Sequence, residues 1–246
     1  MTVQGASTPS TRPQGRLSRA LIRMLMKQAS IVAVDDIAAD FRLLTLTSPQ
    51  FMGLSWAPGQ KIQVAMGSAF AARTFTPIEW NAVTGQTRIL GYVHGEGPGG
   101  AWIRDASPGD TCDVFGPRAS LDAGRASKLV VLGDETSIGL AYALTHRTPG
   151  AAVPCLFEVN HAGRSGEVLA RLGMTKGKLF ERKHDDTHLL DIEQCLPSLA
   201  TGEATFVLTG KAATIQRLRR ALKTLGVPSS RLLAKPYWAP GKTGLD

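Results

Sequence analysis

An antiparallel β-barrel followed by a parallel-sheet α/β domain is the architecture predicted by this chain of 246 residues. Three observations predict it. Between residues 30 and 118, six short β-rich runs follow one another with turns and almost no helical insertion, the pattern of a small barrel. Beyond the polar stretch "RASLDAGRAS", strand-like and helix-like segments alternate, which gives a parallel sheet with helices on both faces. The length is comfortable for two domains of ordinary size. The expected divisions are an N-terminal extension over 1–28, a six-stranded barrel over 29–124 and an α/β domain over 125–246.

Residues 1–15 are rich in Ser, Thr, Pro, Gly and Gln and too polar to build a core. In "RLSRALIRMLMKQ" (16–28), Leu17, Leu21, Met24 and Leu25 recur at helical spacing among Arg16, Arg19, Arg23 and Lys27. That is a short basic helix with one apolar face, expected to pack on the body. The barrel runs are "SIVAVDDI", "FRLLTLTSP", "QKIQVAMG", "ARTFTPIEW", "QTRILGYVH" and "DTCDVFGP", punctuated by Pro58-Gly59, Thr84-Gly85 and Pro108-Gly109. Between the fifth and sixth, "GPGGAWIRDAS" leads from glycines into a helix-like stretch. In the second half, "KLVVLGDETSIGLAYALTHR" is a buried strand, a glycine turn and a helix. "AAVPCLFEVN", "KLFERK", "TFVLTG" and "SRLLAKPYW" are further strands; "EVLARLG" and "AATIQRLRRALKTLG" are helices.

The net charge of +8 is confined to the two ends: residues 29–204 hold 15 Lys/Arg against 19 Asp/Glu. With no RRM, KH or C₂H₂ signature, this distribution argues against nucleic acid and for an anionic small molecule or an acidic protein partner. No apolar run approaches the roughly 18 residues of a membrane span, and the polar start lacks a signal core, so a cytoplasmic protein without stable membrane insertion is expected. Cys112, Cys155 and Cys195 form no CxxC pair and no metal-ligand cluster, which suits reduced thiols and no bound metal.

Chemistry concentrates in two stretches of the barrel. In "RTFT", a guanidinium (Arg73) can fork onto a diphosphate, an aromatic ring (Phe75) can stack on a flat heterocycle, and a hydroxyl (Thr76) can hydrogen-bond a ring nitrogen. In "YVHGEGPGGAW" (92–102), four glycines end a strand and open a helix, where backbone N–H groups can approach an anion. "FGPR" adds Arg118 at the barrel's exit.

Taken in order, "RTFTP", "HGEGPGGAW", "PGDTCDVFGPR", "LGDETSIG" and the terminal "YWAPGKTG" resemble the siderophore-interacting protein family, FAD-dependent ferric-siderophore reductases of the ferredoxin–NADP⁺ reductase superfamily. The resemblance runs from about residue 30 to the end. It implies a noncovalent FAD on the barrel, with Arg73 at the diphosphate, Phe75 stacked on the flavin or its adenosine side, and Thr76, the catalytic candidate, at the flavin's reactive edge. His94 and Gly95 would line the flavin pocket. Gly97, Gly99, Gly100 and Ala101 would offer N–H groups to the diphosphate, and Trp102 would anchor their helix. Tyr237 and Trp238 would close over the flavin. Three positions depart from the family pattern: Phe75 stands where tyrosine is common, losing a hydroxyl, Gly100 where serine is usual, removing a phosphate donor, and Gly139 where proline is common.

"LGDETSIGLA" occupies the first β–α turn of the second domain but does not match GxGxxG. Asp134 and Glu135 would repel a pyrophosphate. In the family this acidic form is normal, and NAD(P)H or another donor approaches at Asp134, Glu135 and Thr136. Glu158 could bind a ribose diol and Arg164 a 2′-phosphate. Arg118, Lys235 and Lys242 are the charge-based candidates for an anionic ferric siderophore. The resemblance thus implies a monomeric reductase passing electrons from NAD(P)H or ferredoxin through flavin to chelated Fe(III). The alternatives are a flavin or ferredoxin reductase of the same fold and a non-catalytic binding module.

Overall fold

The computed structural model describes residues 25–66, 72–95, 97–124, 126–147 and 153–242. Residues 1–24, which carry most of the expected N-terminal helix, lie outside them. The last two residues of that expected helix are strand instead. Lys27 and Gln28 open β1 (Lys27–Ala38) and pair with Val114 and Asp113. β2 (Phe41–Thr47), β3 (Lys61–Ala65), β4 (Ala72–Phe75), β5 (Pro77–Asn81), β6 (Gln86–Tyr92) and β7 (Thr111–Arg118) complete the first sheet.

Among the described residues this sheet has seven strands where the sequence suggested six, because "ARTFTPIEW" is two. The sheet order is β4-β3-β7-β1-β2-β6-β5, with neighbours antiparallel. β4 and β5 are therefore opposite edges, yet only Thr76 separates them in sequence. Consecutive Cα atoms stand about 3.8 Å apart, so the two edges must lie within about 7.6 Å of each other at that point. The sheet is rolled into a barrel by the covalent chain itself, and its seam stays unpaired. Pro77 has no N–H to donate into a ladder, which is why the strand breaks there.

One face of the sheet fills the barrel, and part of the other packs on the second domain. On β2, Leu44 and Leu46 point into the barrel with Ile31, Phe51, Ile62 and Ile89, while Phe41 and Leu43 face the second domain. Helix α1 (Pro98–Asp105) sits where the glycine-rich stretch predicted a helix. Ile103 plugs it into the barrel core. Arg42 holds its C-terminus: Nη1 donates to the carbonyls of Ile103 (2.7 Å), Arg104 (2.7 Å) and Ala106 (3.0 Å). A cation there satisfies orphan carbonyls and complements the helix dipole.

The second sheet, order β10-β9-β8-β11-β12, is parallel throughout. Its strands are β8 (Leu129–Asp134), β9 (Cys155–Val159), β10 (Gly177–Glu181), β11 (Thr205–Lys211) and β12 (Leu232–Trp238). Helices α2 (Ile138–His146) and α3 (Ala162–Arg171) cover the face towards the barrel; α4 (His188–Ala200) and α5 (Ala212–Thr224) cover the other. β8 shows why its run reads as continuously apolar: Leu129 and Val131 face one layer, Val130 and Leu132 the other. α4 is absent from the sequence reading. Leu189, Ile192 and Leu196 have helical spacing, but Pro197 sits inside the helix and cannot donate to a preceding carbonyl, which masks the signal. No helix among the described residues is long and apolar enough to cross a membrane.

One apolar layer joins the domains. Ile37, Phe41, Leu43 and Ile78 of the barrel are continuous with Val131, Ile138, Leu140 and Leu144 of the second domain. At its edge Tyr142 donates to Glu79 Oε1 at 2.7 Å, and Arg164 pairs with Asp40 at 2.6 Å. Gly139 lets α2 press onto the barrel: a Cβ there would stand 3.0 Å from Ile78 Cγ2 and 3.4 Å from Leu90 Cβ. Gly139→Val therefore overpacks the interface, at a cost of about 1–3 kcal/mol. Thermal denaturation should show a fall in Tm of about 2–10 °C; an unchanged or raised Tm contradicts the packing assigned to this glycine.

Candidate functional site

A cleft of about 450 Å³ opens between the barrel seam and the C-terminal ends of the parallel strands. That size lies within the roughly 300–1,000 Å³ of small-molecule sites. Arg73, Gly97, Gly99 and Gly100 form one end, Phe75, Thr76 and Leu90 the floor, and Thr136, Gly139, Tyr237 and Trp238 the far wall.

The first end is built for an anion. Gly97 is the N-cap of α1 and has no side chain to cap it, and Pro98 follows without an N–H. Helix geometry then leaves the peptide N–H groups of Gly99 and Gly100 without intrahelical acceptors. Arg73 lies against them: a Cβ on Gly99 would sit 3.3 Å from Arg73 Cγ. Its Nη1 donates to the neighbouring carbonyl of Ala72 at 2.9 Å. The donor set, two free peptide N–H groups and a guanidinium around open volume, fits the diphosphate of FAD. Ala101 does not belong to it, because its N–H already donates to Gly97 O at 3.0 Å. Trp102 stands behind the floor, packed on Phe75 with ring centroids 5.3 Å apart. Gly100 also has a different meaning from the one its sequence position suggested. A Cβ there would come within 2.8 Å of His94 O, so the glycine permits α1 to seat on the His94–Gly95 turn.

At the seam, the Tyr237 phenol hydrogen-bonds the hydroxyls of Thr76 and Thr209, and burial pushes its pKa up to about 12. Thr209 Oγ1 continues to Ser137 Oγ at 2.8 Å. This ties the barrel's open edge to the last strand of the second domain. His94 lies 5.1 Å from the Tyr92 ring and 6.4 Å from that of Trp238, and burial holds its imidazole below the ordinary value. Trp238 separates the cleft from a smaller polar pocket of about 110 Å³, lined by Tyr92, His94, Asn160, Arg182 and Lys211 among others.

The acidic turn behaves differently from the expectation. Asp134 has no exposed surface and its carboxylate faces inward. Oδ1 accepts from the Thr136 N–H (2.9 Å) and hydroxyl; Oδ2 accepts from the Lys211 N–H (2.8 Å) and the Trp238 indole (2.7 Å). Glu135 is held by two Arg182 contacts of 2.9 Å, the Asn160 N–H at 2.6 Å and the Tyr92 hydroxyl at 3.3 Å. Of the three residues only Thr136 reaches the main cleft. Glu158 is buried as well, with His188 Nε2 at 3.2 Å and Arg182 Nε at 3.6 Å, so it presents nothing to a ribose. Arg164 is engaged by Asp40. Arg118 is also outside the cleft lining: it donates to Gln63 Oε1 at 2.6 Å and stacks 4.4 Å over Phe115. Its cross-strand neighbour Lys61 reaches the cleft in its place, with Lys235 and Lys242.

Arg182 is a site residue that sequence reasoning missed, as are Lys61, Tyr92 and Asn160. Arg182 follows β10 directly in "KLFERK", and an arginine just past the C-terminal end of a parallel strand points at the sheet's ligand edge. Around it stand Asp134, Glu135 and Glu158, and its guanidinium lies 5.9 Å from the Trp238 ring.

Burial, outweighing these hydrogen bonds, raises the Asp134 pKa from 3.8 to about 6. The folded chain therefore holds this proton to a higher pH than the unfolded chain. Its contribution to stability declines as pH rises from about 4 to about 6 and is flat above that window. Asp134→Asn removes the slope. Comparing Tm against pH for the two proteins checks this; parallel curves between pH 4 and 7 contradict it.

Comparisons with known proteins bear on both halves. The family model described as the siderophore-interacting FAD-binding domain matches residues 16–121, and that described as siderophore-interacting protein matches residues 126–241. No curated protein matches by sequence. Among solved structures, the siderophore-interacting protein SipS from Aeromonas hydrophila is similar, with a TM-score of 0.72 and 23% identity over 89% of this chain and 93% of that one. A siderophore utilization protein from T. fusca gives 0.70 and 24% over 90% and 95%. Phthalate dioxygenase reductase gives 0.73 and 18% over 88% and 70%. A rolled barrel joined through a shared apolar layer to a parallel α/β sheet, matched in both halves by paired models, places the chain in the siderophore-interacting protein family.

Proposed function

We propose that the protein is an FAD-dependent reductase of ferric siderophores, working in the cytoplasm. The observation that carries this is the uncapped start of α1 facing Arg73 across one end of a cleft with aromatic residues along it. When bound there, FAD supplies the exchange between a reductant and Fe(III), which takes one electron at a time. The chain's own residues supply position. Arg73 and the N–H groups of Gly99 and Gly100 hold the diphosphate, Phe75 backs the flavin ring, and Thr76, oriented by Tyr237, faces its reactive edge. Lys61, Lys235 and Lys242 line the same cleft, which suits an anionic ferric chelate as the substrate. NAD(P)H or a ferredoxin is the source of electrons.

The reading is tested by loading the purified chain with FAD, reducing it without oxygen, and adding ferric chelates with an Fe(II)-trapping dye. Reoxidation of flavin with stoichiometric Fe(II) is the expected result; flavin that stays reduced in the presence of every chelate contradicts it. Arg73→Ala removes charge-assisted hydrogen bonds of about 1.5–3 kcal/mol, so FAD affinity should fall about 10–100-fold with unchanged circular dichroism. Equal affinity places the diphosphate elsewhere. Gly100→Ser pushes α1 off the His94 carbonyl. Fluorescence titration should show weaker FAD binding in this variant, and tighter binding contradicts the close approach.

A further inference from the structure

Four hydroxyl groups run in file from the barrel seam into the core of the second domain. Thr76 stands at the seam and lines the cleft. The Tyr237 phenol bonds both Thr76 and Thr209, and Thr209 Oγ1 donates to Ser137 Oγ at 2.8 Å. Thr209 and Ser137 are buried, and neither lines the cleft. Two local features put these groups in line. The β11–β12 ladder slips by one residue: Gly210 pairs with Pro236 and Lys211 with Trp238, which leaves Tyr237 as the extra residue of a bulge. A bulge re-aims a side chain, and here the phenol reaches from the second sheet to the barrel. Gly133 makes room at the other end. A Cβ there would collide with the Ser137 side chain and come 3.2 Å from Thr209 O, so Ser137 reaches Thr209 because β8 carries no side chain at that point.

A hydroxyl has one proton and two lone pairs, so the direction of one bond in the file fixes the next. Thr209 gives its proton to Ser137, whose oxygen also accepts from the Asp134 N–H at 3.4 Å. The Thr209 oxygen is then the acceptor for the Tyr237 phenol. With its own proton engaged, the phenol oxygen accepts from Thr76. The Thr76 proton therefore points away from the cleft, and its lone pairs face the open volume. We propose that Tyr237, Thr209 and Ser137 are positioning residues that fix Thr76 as a hydrogen-bond acceptor towards the cofactor. The identity of that cofactor rests on the reductase reading. The reactive edge of a flavin carries a ring nitrogen that is a bare acceptor in oxidised FAD. The same nitrogen is an N–H donor once the ring has taken up two electrons and a proton. An acceptor hydroxyl complements the second form and sets lone pair against lone pair in the first. The file thus favours binding of reduced over oxidised FAD, which raises the potential of the bound cofactor.

Redox titration of the FAD-saturated chain against a reference dye, without oxygen, tests this. Thr209→Val keeps the shape of a residue outside the cleft and deletes the proton that sets the order. The phenol then donates to Thr76, whose proton turns to the ring. The preference for reduced FAD should fall about tenfold, a potential lower by about 30 mV for a two-electron couple. Tyr237→Phe should shift the potential in the same direction, and Thr209→Ser, which keeps the hydroxyl, should stay at the wild-type value. Residues that only pack would weaken both redox forms alike, so a Thr209→Val potential equal to or above the wild type overturns the proposal. A second arm needs no cofactor. In the FAD-free chain, Thr209→Val and Tyr237→Phe remove the same hydrogen bond. The Tm of the double variant should therefore fall by about 2–4 °C less than the sum of the single falls. Additive falls overturn the file itself. A chain that binds no FAD sinks the reductase reading, while this arm still decides whether the hydroxyls are linked.

Discussion

The architecture turns on a single-residue link between the two edges of one sheet. β4 and β5 are as far apart as the strand order allows, and Thr76 alone connects them. The sheet has to roll, and the roll leaves a seam that Pro77 prevents from zipping shut. An unpaired edge is ordinarily a liability for aggregation. Here the second domain covers it: β12 ends at the seam, and the Tyr237 phenol binds Thr76 directly. The cleft is the space that remains between seam and cover. A continuous apolar layer joins the two domains along its side.

Charge divides the labour between the two halves. At the barrel, α1 is held by its far end, through Arg42, and its near end is left with free donors beside Arg73. Across the cleft, the Thr136 and Lys211 N–H groups and the Trp238 indole are already engaged by Asp134, and Arg182 is surrounded by three carboxylates. One end thus presents free donors and the other is internally neutralised. The family's FAD-binding domain, matched over the first half of the chain, lies on the side where the free donors are.

What the sequence revealed and concealed follows from the range of the interactions. Most strands of the barrel were legible because each has one face in its interior and the two-residue period survives. Arg73, Phe75 and the glycines before α1 were legible because their chemistry is local, within a few residues of a turn. "ARTFTPIEW" was read as one strand because nothing within it reveals that its two ends pair with different neighbours. α4 was hidden by a proline that tertiary packing tolerates. Asp134 was assigned to a ligand because its true partners are remote: Lys211 lies 77 residues away and Trp238 lies 104 away. Arg118 was chosen on charge, whereas strand register delivers Lys61 to the cleft in its place. Gly100 read in sequence as a lost phosphate donor and Gly139 as a departure from proline, and both are close contacts in the fold.

A crystal structure of the chain grown with excess FAD tests the central assignment most directly. Density for the diphosphate within hydrogen-bonding distance of the Arg73 guanidinium and the N–H groups of Gly99 and Gly100, with the flavin ring between Phe75 and Tyr237, is the predicted result. A diphosphate seated at the Asp134 turn, or a cleft that excludes the cofactor altogether, contradicts it.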